Sequence, residues 1–191
     1  MKKSLIAALS LSISLMALPN AIGAKEKPLP SNTYYETVNS DVTTEYGTLM
    51  KTYKDPNTGF KVEVYKAPEF SISSWESIGS STWTIKADFT WRTDKTVVST
   101  GGYFGIEVPA HSYEYSIGTN GPYIAVNLYE DDPSDDDFIG KVIIEPSPDR
   151  LIYKVYVNGD TDGFPDRAEI YAKYNTNYRT ASGSLNIKYL D

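Results

Sequence analysis

Between residues 158 and 169 the chain reads Asn158-Gly159-Asp160-Thr161-Asp162-Gly163-Phe164-Pro165-Asp166-Arg167-Ala168-Glu169. Counting Asn158 as position one, side-chain oxygens fall at positions one, three, five, nine and twelve, and Gly163 falls at position six. A hard cation such as calcium takes about six to eight oxygens at short range. A short loop supplies them when alternate side chains point inward and the backbone then reverses sharply. Gly163 permits the reversal, the Phe164 carbonyl offers a backbone oxygen, and Glu169 closes the shell with its carboxylate. Calcium is therefore the expected cofactor, with Asn158, Asp160, Asp162, Phe164, Asp166 and Glu169 as its ligands. The ion-free alternative is an Asx-rich hairpin turn, because Asn-Gly and Asp-Gly are ordinary turn dipeptides. Such a turn has no need of Asp166 and Glu169 in register.

This spacing resembles the calcium loop of EF-hand and dockerin proteins. Asp160 through Glu169 also resembles the aspartate-rich repeats of thrombospondin type 3. The resemblance implies an ion-binding loop and not a paired helical hand. Pro165 stands at position eight, where EF-hands usually carry an aliphatic residue that pairs two loops, and the preceding Leu151-Ile152-Tyr153-Lys154-Val155-Tyr156-Val157 reads as a strand.

A second acidic run, Glu130-Asp131-Asp132-Pro133-Ser134-Asp135-Asp136-Asp137, leads into Phe138-Ile139-Gly140. Like charges this close repel unless they are solvated, screened or bridged by a cation. The run resembles the third calcium loop of C2 domains, which implies Glu130 and Asp132 as an alternating pair and Asp137 as a third ligand. A solvated acidic turn is the alternative.

Aromatic residues raise a different chemistry, because a flat ring can stack on the apolar face of a pyranose. Trp75, Tyr113, Tyr115 and Tyr129 are the candidate platforms, with an extracellular or cell-wall polysaccharide as the expected partner. Trp83, Ile85, Ala87, Phe89 and Trp91 share one face of an alternating run and are assigned to the core. The lone His111 lacks the signature of a hydrolase triad and is assigned to loop packing. Nucleophile elbows, paired-His zinc helices and phosphate loops are missing, so no catalytic residue is assigned.

Strands must position these groups. Residues 82–92 alternate strictly, with Thr82, Thr84, Lys86, Asp88, Thr90 and Arg92 opposite the apolar set. A helix would scatter those aromatics around its circumference, whereas period two gives a half-buried strand. Further strands are expected over residues 60–65, 103–108, 113–117, 123–130, 138–145, 151–157 and 185–190. Residues 167–175 are read as a strand from the alternation of Ala168, Ile170, Ala172 and Tyr174, although Pro165-Asp166 also suits a helix start. Turn residues such as Asp55-Pro56-Asn57-Thr58-Gly59 and Gly101-Gly102 separate the runs. The expected fold is all-β, an antiparallel β-sandwich, C2-like or immunoglobulin-like, of about eight to nine strands. The 16 Tyr and 3 Trp suit such pleated, half-buried surfaces.

The start of the chain carries a separate signal. Met1-Lys2-Lys3, an apolar run over residues 5–18 and small residues ending at Ala24 have the layout of a secretory signal peptide. The expected organisation is a signal peptide over 1–24, a polar N-terminal segment over 25–45 and one sandwich domain over 46–191. The apolar run is short for a bilayer and no second one follows, so no membrane span is expected. A net charge of −7 argues against nucleic acid or anionic lipid as partner unless bound cations reverse the local charge. The lack of Cys removes disulfide stapling and thiolate-bound zinc. The expectation is an exported bacterial protein, secreted and monomeric, acting as a calcium-binding extracellular binding or structural module. A small secreted hydrolase and a C2-like, calcium-dependent membrane-binding module are the alternatives.

Overall fold

The computed structural model describes residues 35–36, 42–55, 58–69, 75–86, 90–93, 96–112, 123–131, 136–157, 167–176 and 183–191. Thirteen strands run through them: β1 (Tyr35–Glu36), β2 (Thr43–Thr44), β3 (Gly47–Lys54), β4 (Lys61–Lys66), β5 (Ser77–Ile85), β6 (Thr90–Arg92) and β7 (Val97–Ser99) come first. Then follow β8 (Tyr103–Val108), β9 (Ile124–Glu130), β10 (Asp137–Ile144), β11 (Leu151–Tyr156), β12 (Ala168–Thr176) and β13 (Gly183–Leu190). An eight-stranded sheet has the order β1-β3-β4-β11-β8-β13-β5, with β2 beside β3. A five-stranded sheet has the order β10-β9-β12-β6, with β7 also on β12. The pairings are antiparallel. The fold is an all-β antiparallel sandwich.

Alternation builds the interface between the sheets. Val62 and Val64 on β4, Phe104 and Ile106 on β8, and Tyr153 and Val155 on β11 face one core from the larger sheet. Val126 and Leu128 on β9, Val142 and Ile144 on β10, and Ile170 and Tyr174 on β12 meet them from the smaller. Trp83 and Tyr174 stack across the gap with ring centroids 4.5 Å apart and planes 9° from parallel. The Tyr174 hydroxyl accepts the Thr84 amide at 2.9 Å, so the stack is anchored as well as packed.

The 82–92 alternation does not form one strand. β5 ends at Ile85 in the larger sheet and β6 lies in the smaller, so the chain changes sheets between them. Trp83 and Ile85 are buried as expected, but Trp91 is 46% exposed on β6, which ends its sheet among the described strands. Ala87 and Phe89 lie outside the described residues. Both sheets face the same core, so period two survives a change of sheet and cannot reveal it.

The strand number is also larger than eight to nine. β1, β2, β6 and β7 are two or three residues long, too short to show a period, and β3 has intermediate burial along most of its length. Two of these, β1 and β2, fall in the segment read as polar and aperiodic. The 167–175 region is a strand, with Ala168, Ile170, Ala172 and Tyr174 in the core. The expected strand at 113–117 and the leader at 1–24 lie outside the described residues. Among the described residues no helix is long and apolar enough to cross a membrane.

Candidate functional site

Antiparallel pairing of β9 with β12 brings the described edges of the two acidic segments, Glu130–Asp131 and Glu169, to one end of the smaller sheet. Glu130, at the end of β9, pairs with Ile170 near the start of β12, and Asp137, at the start of β10, pairs with Glu130. The Asp131 amide donates to the Glu169 carbonyl at 2.7 Å, joining the first residue beyond β9 to the last residue of the 158–169 motif. The other side of that motif leaves β11 where the Val157 amide donates to the Gly102 carbonyl at 2.9 Å. Gly101 and Gly102 turn there with φ of 90° and 86°, a conformation that suits residues without a Cβ.

Glu130 is 3% exposed and shares the core-facing side of β9 with Val126 and Leu128. Asp137 and Glu169 are exposed on their strands. Asn158, Asp160, Asp162, Phe164 and Asp166, together with Asp132, lie outside the described residues. Among the described residues, no three acidic or His side chains gather closely enough to hold a metal ion. The contact between Asp131 and Glu169 is thus the described link between the two motifs.

Both ends of the 131–136 loop are pinned by groups that sequence reasoning did not single out. Asp131 accepts from Arg92 Nη2 at 3.1 Å and from the Thr96 hydroxyl at 2.7 Å. Asp136 accepts from the Tyr171 hydroxyl. The Arg92 guanidinium also lies 3.7 Å from the Tyr171 ring centroid. Burial first, and then the Asp136 hydrogen bond, raise the Tyr171 pKa. The only signal available in the sequence was position: Tyr171 and Lys173 alternate with the core residues of β12 and so had to line its outer face.

The predicted aromatics separate. Tyr129 stacks on Tyr171 at 5.3 Å, meets Phe138 edge-on at 5.5 Å and has the Lys173 ammonium 4.3 Å above it. Phe138 itself is 44% exposed. Trp75 is half-buried on the outer face of the larger sheet, edge-on to Tyr46 at 5.2 Å. Tyr113 and Tyr115 lie outside the described residues. His111 forms backbone bonds to Ser147, with its Nδ1 2.8 Å from the Pro109 carbonyl, while the Ser147 hydroxyl accepts the Asp149 amide at 3.0 Å. Burial lowers the His111 pKa, against the Pro109 hydrogen bond.

Residues 77–188 match the family model described as the YndA coiled coil domain. The regular secondary structure in the described part of that span is strand, from β5 to β13, with no helix. No curated protein and no solved structure matches the chain.

Proposed function

The chain belongs to the YndA coiled coil domain family, and we propose that it is a secreted, calcium-binding β-sandwich that works outside the cell as a binding or structural module. The hydrogen bond from the Asp131 amide to the Glu169 carbonyl carries this reading. It supports a shared end at which two acidic loops repel each other unless a cation lies nearby. Asn158, Asp160, Asp162, Phe164, Asp166 and Glu169 would hold the ion, with Glu130, Asp132 and Asp137 as a second candidate set. The ion would stiffen the loops, and Tyr129 and Phe138 next to them offer ring faces suited to a polysaccharide.

Thermal unfolding with millimolar calcium and with chelator tests the ion. An ion that binds the folded loop and not the unfolded chain adds about 2.7 kcal/mol at about a hundred times its dissociation constant. Magnesium should do much less, because it demands a tight octahedron. The shift should vanish in Asp160→Ala combined with Asp162→Ala. An equal shift in both proteins moves the ion to Glu130, Asp132 and Asp137, and no shift in either reduces the motif to a turn. Mass spectrometry of exported protein tests the leader: the mature chain should begin at or near Lys25, and retention of residues 1–20 would overturn secretion by cleavage.

A further inference from the structure

The outer face of the larger sheet carries a second constellation. Lys154 on β11 sits opposite Glu63 on β4 and Gly105 on β8. Gly105 leaves room for the Trp75 indole, whose ring atoms lie 3.0 Å from where a Cβ would stand. Trp75 packs there with Tyr46, Tyr65 and Ile152 in a small cluster separate from the main core. Lys154 lies at the edge of this cluster. Its side chain is 7% exposed, and its ammonium lies 3.7 Å from both the Tyr46 and Tyr103 ring centroids. Glu63 is 3.8 Å away, beyond hydrogen-bonding distance, and already accepts from Lys61 at 2.6 Å and from the Tyr65 hydroxyl at 2.8 Å.

An open pocket of about 320 Å³ lies beside this ammonium, lined by Lys61, Glu63, Tyr103, Lys154, Val155 and Tyr156. Tyr103 and Tyr156 are each 47% exposed, with centroids 5.4 Å apart and planes at 59°, so their rings form a corner at its rim. The lining side chains supply two ammoniums and one carboxylate, and Glu45 acts on the Lys154 ammonium from outside the lining. A nearly buried ammonium gains from an oxygen acceptor, most of all a charged one. A ring corner of this kind suits the apolar face of a sugar.

We propose that this pocket binds a saccharide unit bearing a carboxylate, a uronic acid residue of an acidic polysaccharide. The pyranose stacks on Tyr103 and Tyr156 while its carboxylate meets Lys154 and Lys61. The proposal rests on the binding-module reading for its ligand class and makes no use of calcium.

Affinity electrophoresis through gels containing polygalacturonate or dextran tests it, with chelator throughout so that calcium plays no part. Polygalacturonate should retard the full chain and dextran should not. Tyr103→Ala with Tyr156→Ala, and separately Lys154→Met, should each raise the dissociation constant about tenfold or more. Trp91→Ala, on the other sheet, should leave it unchanged. Lys61→Ala gives a second reading of the carboxylate contact from a side chain that is 54% exposed, in case Lys154→Met does not fold. No retardation by polygalacturonate, equal retardation by dextran, or an equal loss in Trp91→Ala would each overturn the site. The calcium shift should persist in all these variants, so failure here leaves the 158–169 loop untouched, and failure there leaves this pocket untouched.

Discussion

A buried phenol bonded to a carboxylate is hard to ionise, and Tyr171 is placed in that way, with the Arg92 guanidinium over its ring pulling the other way. Tyr65 repeats the pattern on the opposite face, where burial and then Glu63 raise its pKa. An unfolded tyrosine titrates near about pH 10. Because the folded chain holds these protons more tightly, their contribution to stability is full below that pH and is lost as pH rises through the raised folded values. Urea midpoints should therefore fall above about pH 10. Tyr171→Phe and Tyr65→Phe should flatten that alkaline limb, and an unchanged slope in both would remove these residues as its cause. At neutral pH Tyr171→Phe should cost about 1 kcal/mol through its lost hydrogen bond. None of this was legible beforehand. Asp131 and Asp136 were visible as charges, but Arg92, Thr96 and Tyr171 reach them only through sheet pairing.

At the scale of elements, β10 holds a bulge between Phe138 and Gly140, and the Phe60 ring from the turn before β4 lies directly on Gly140. A methyl group there would overlap the ring, so Gly140→Ala should cost about 1–3 kcal/mol by overpacking. Phe60→Leu should recover part of that loss in a double-mutant cycle, and additive costs would show that the two residues do not touch in solution. Trp83→Ala removes the inter-sheet stack with Tyr174 and should cost about 3–5 kcal/mol. The sequence made β8, β9 and β11 readable because each has alternating side chains packed against the core. It misjudged Trp91 because hydrophobicity marks a residue suited to a core, while exposure depends on whether a neighbouring strand covers it. On β6 no described strand does. The split of Thr82–Arg92 between sheets was hidden for a related reason: the alternation continues through the crossing.

For the whole molecule, the sheets share one core through interleaved residues, so they should unfold together. Tryptophan fluorescence and far-ultraviolet circular dichroism should give coincident thermal transitions, and a separated pair would show that one sheet survives the other. The sandwich class was legible from turn spacing and period. The contact of Asp131 with Glu169 was not, since it depends on β9 lying beside β12. Strand order also sets a schedule. β13 lies between β8 and β5, so among the described strands β5 finds its sheet neighbour only in residues 183–190, far along the chain. Pairing across so much sequence is slow to nucleate. A chain emerging from a ribosome, or passing through a narrow export channel, would therefore remain unfinished through its own topology. Shortening it to end at residue 182 should hold it in that state, with residues 77–85 open to protease that the 191-residue chain resists.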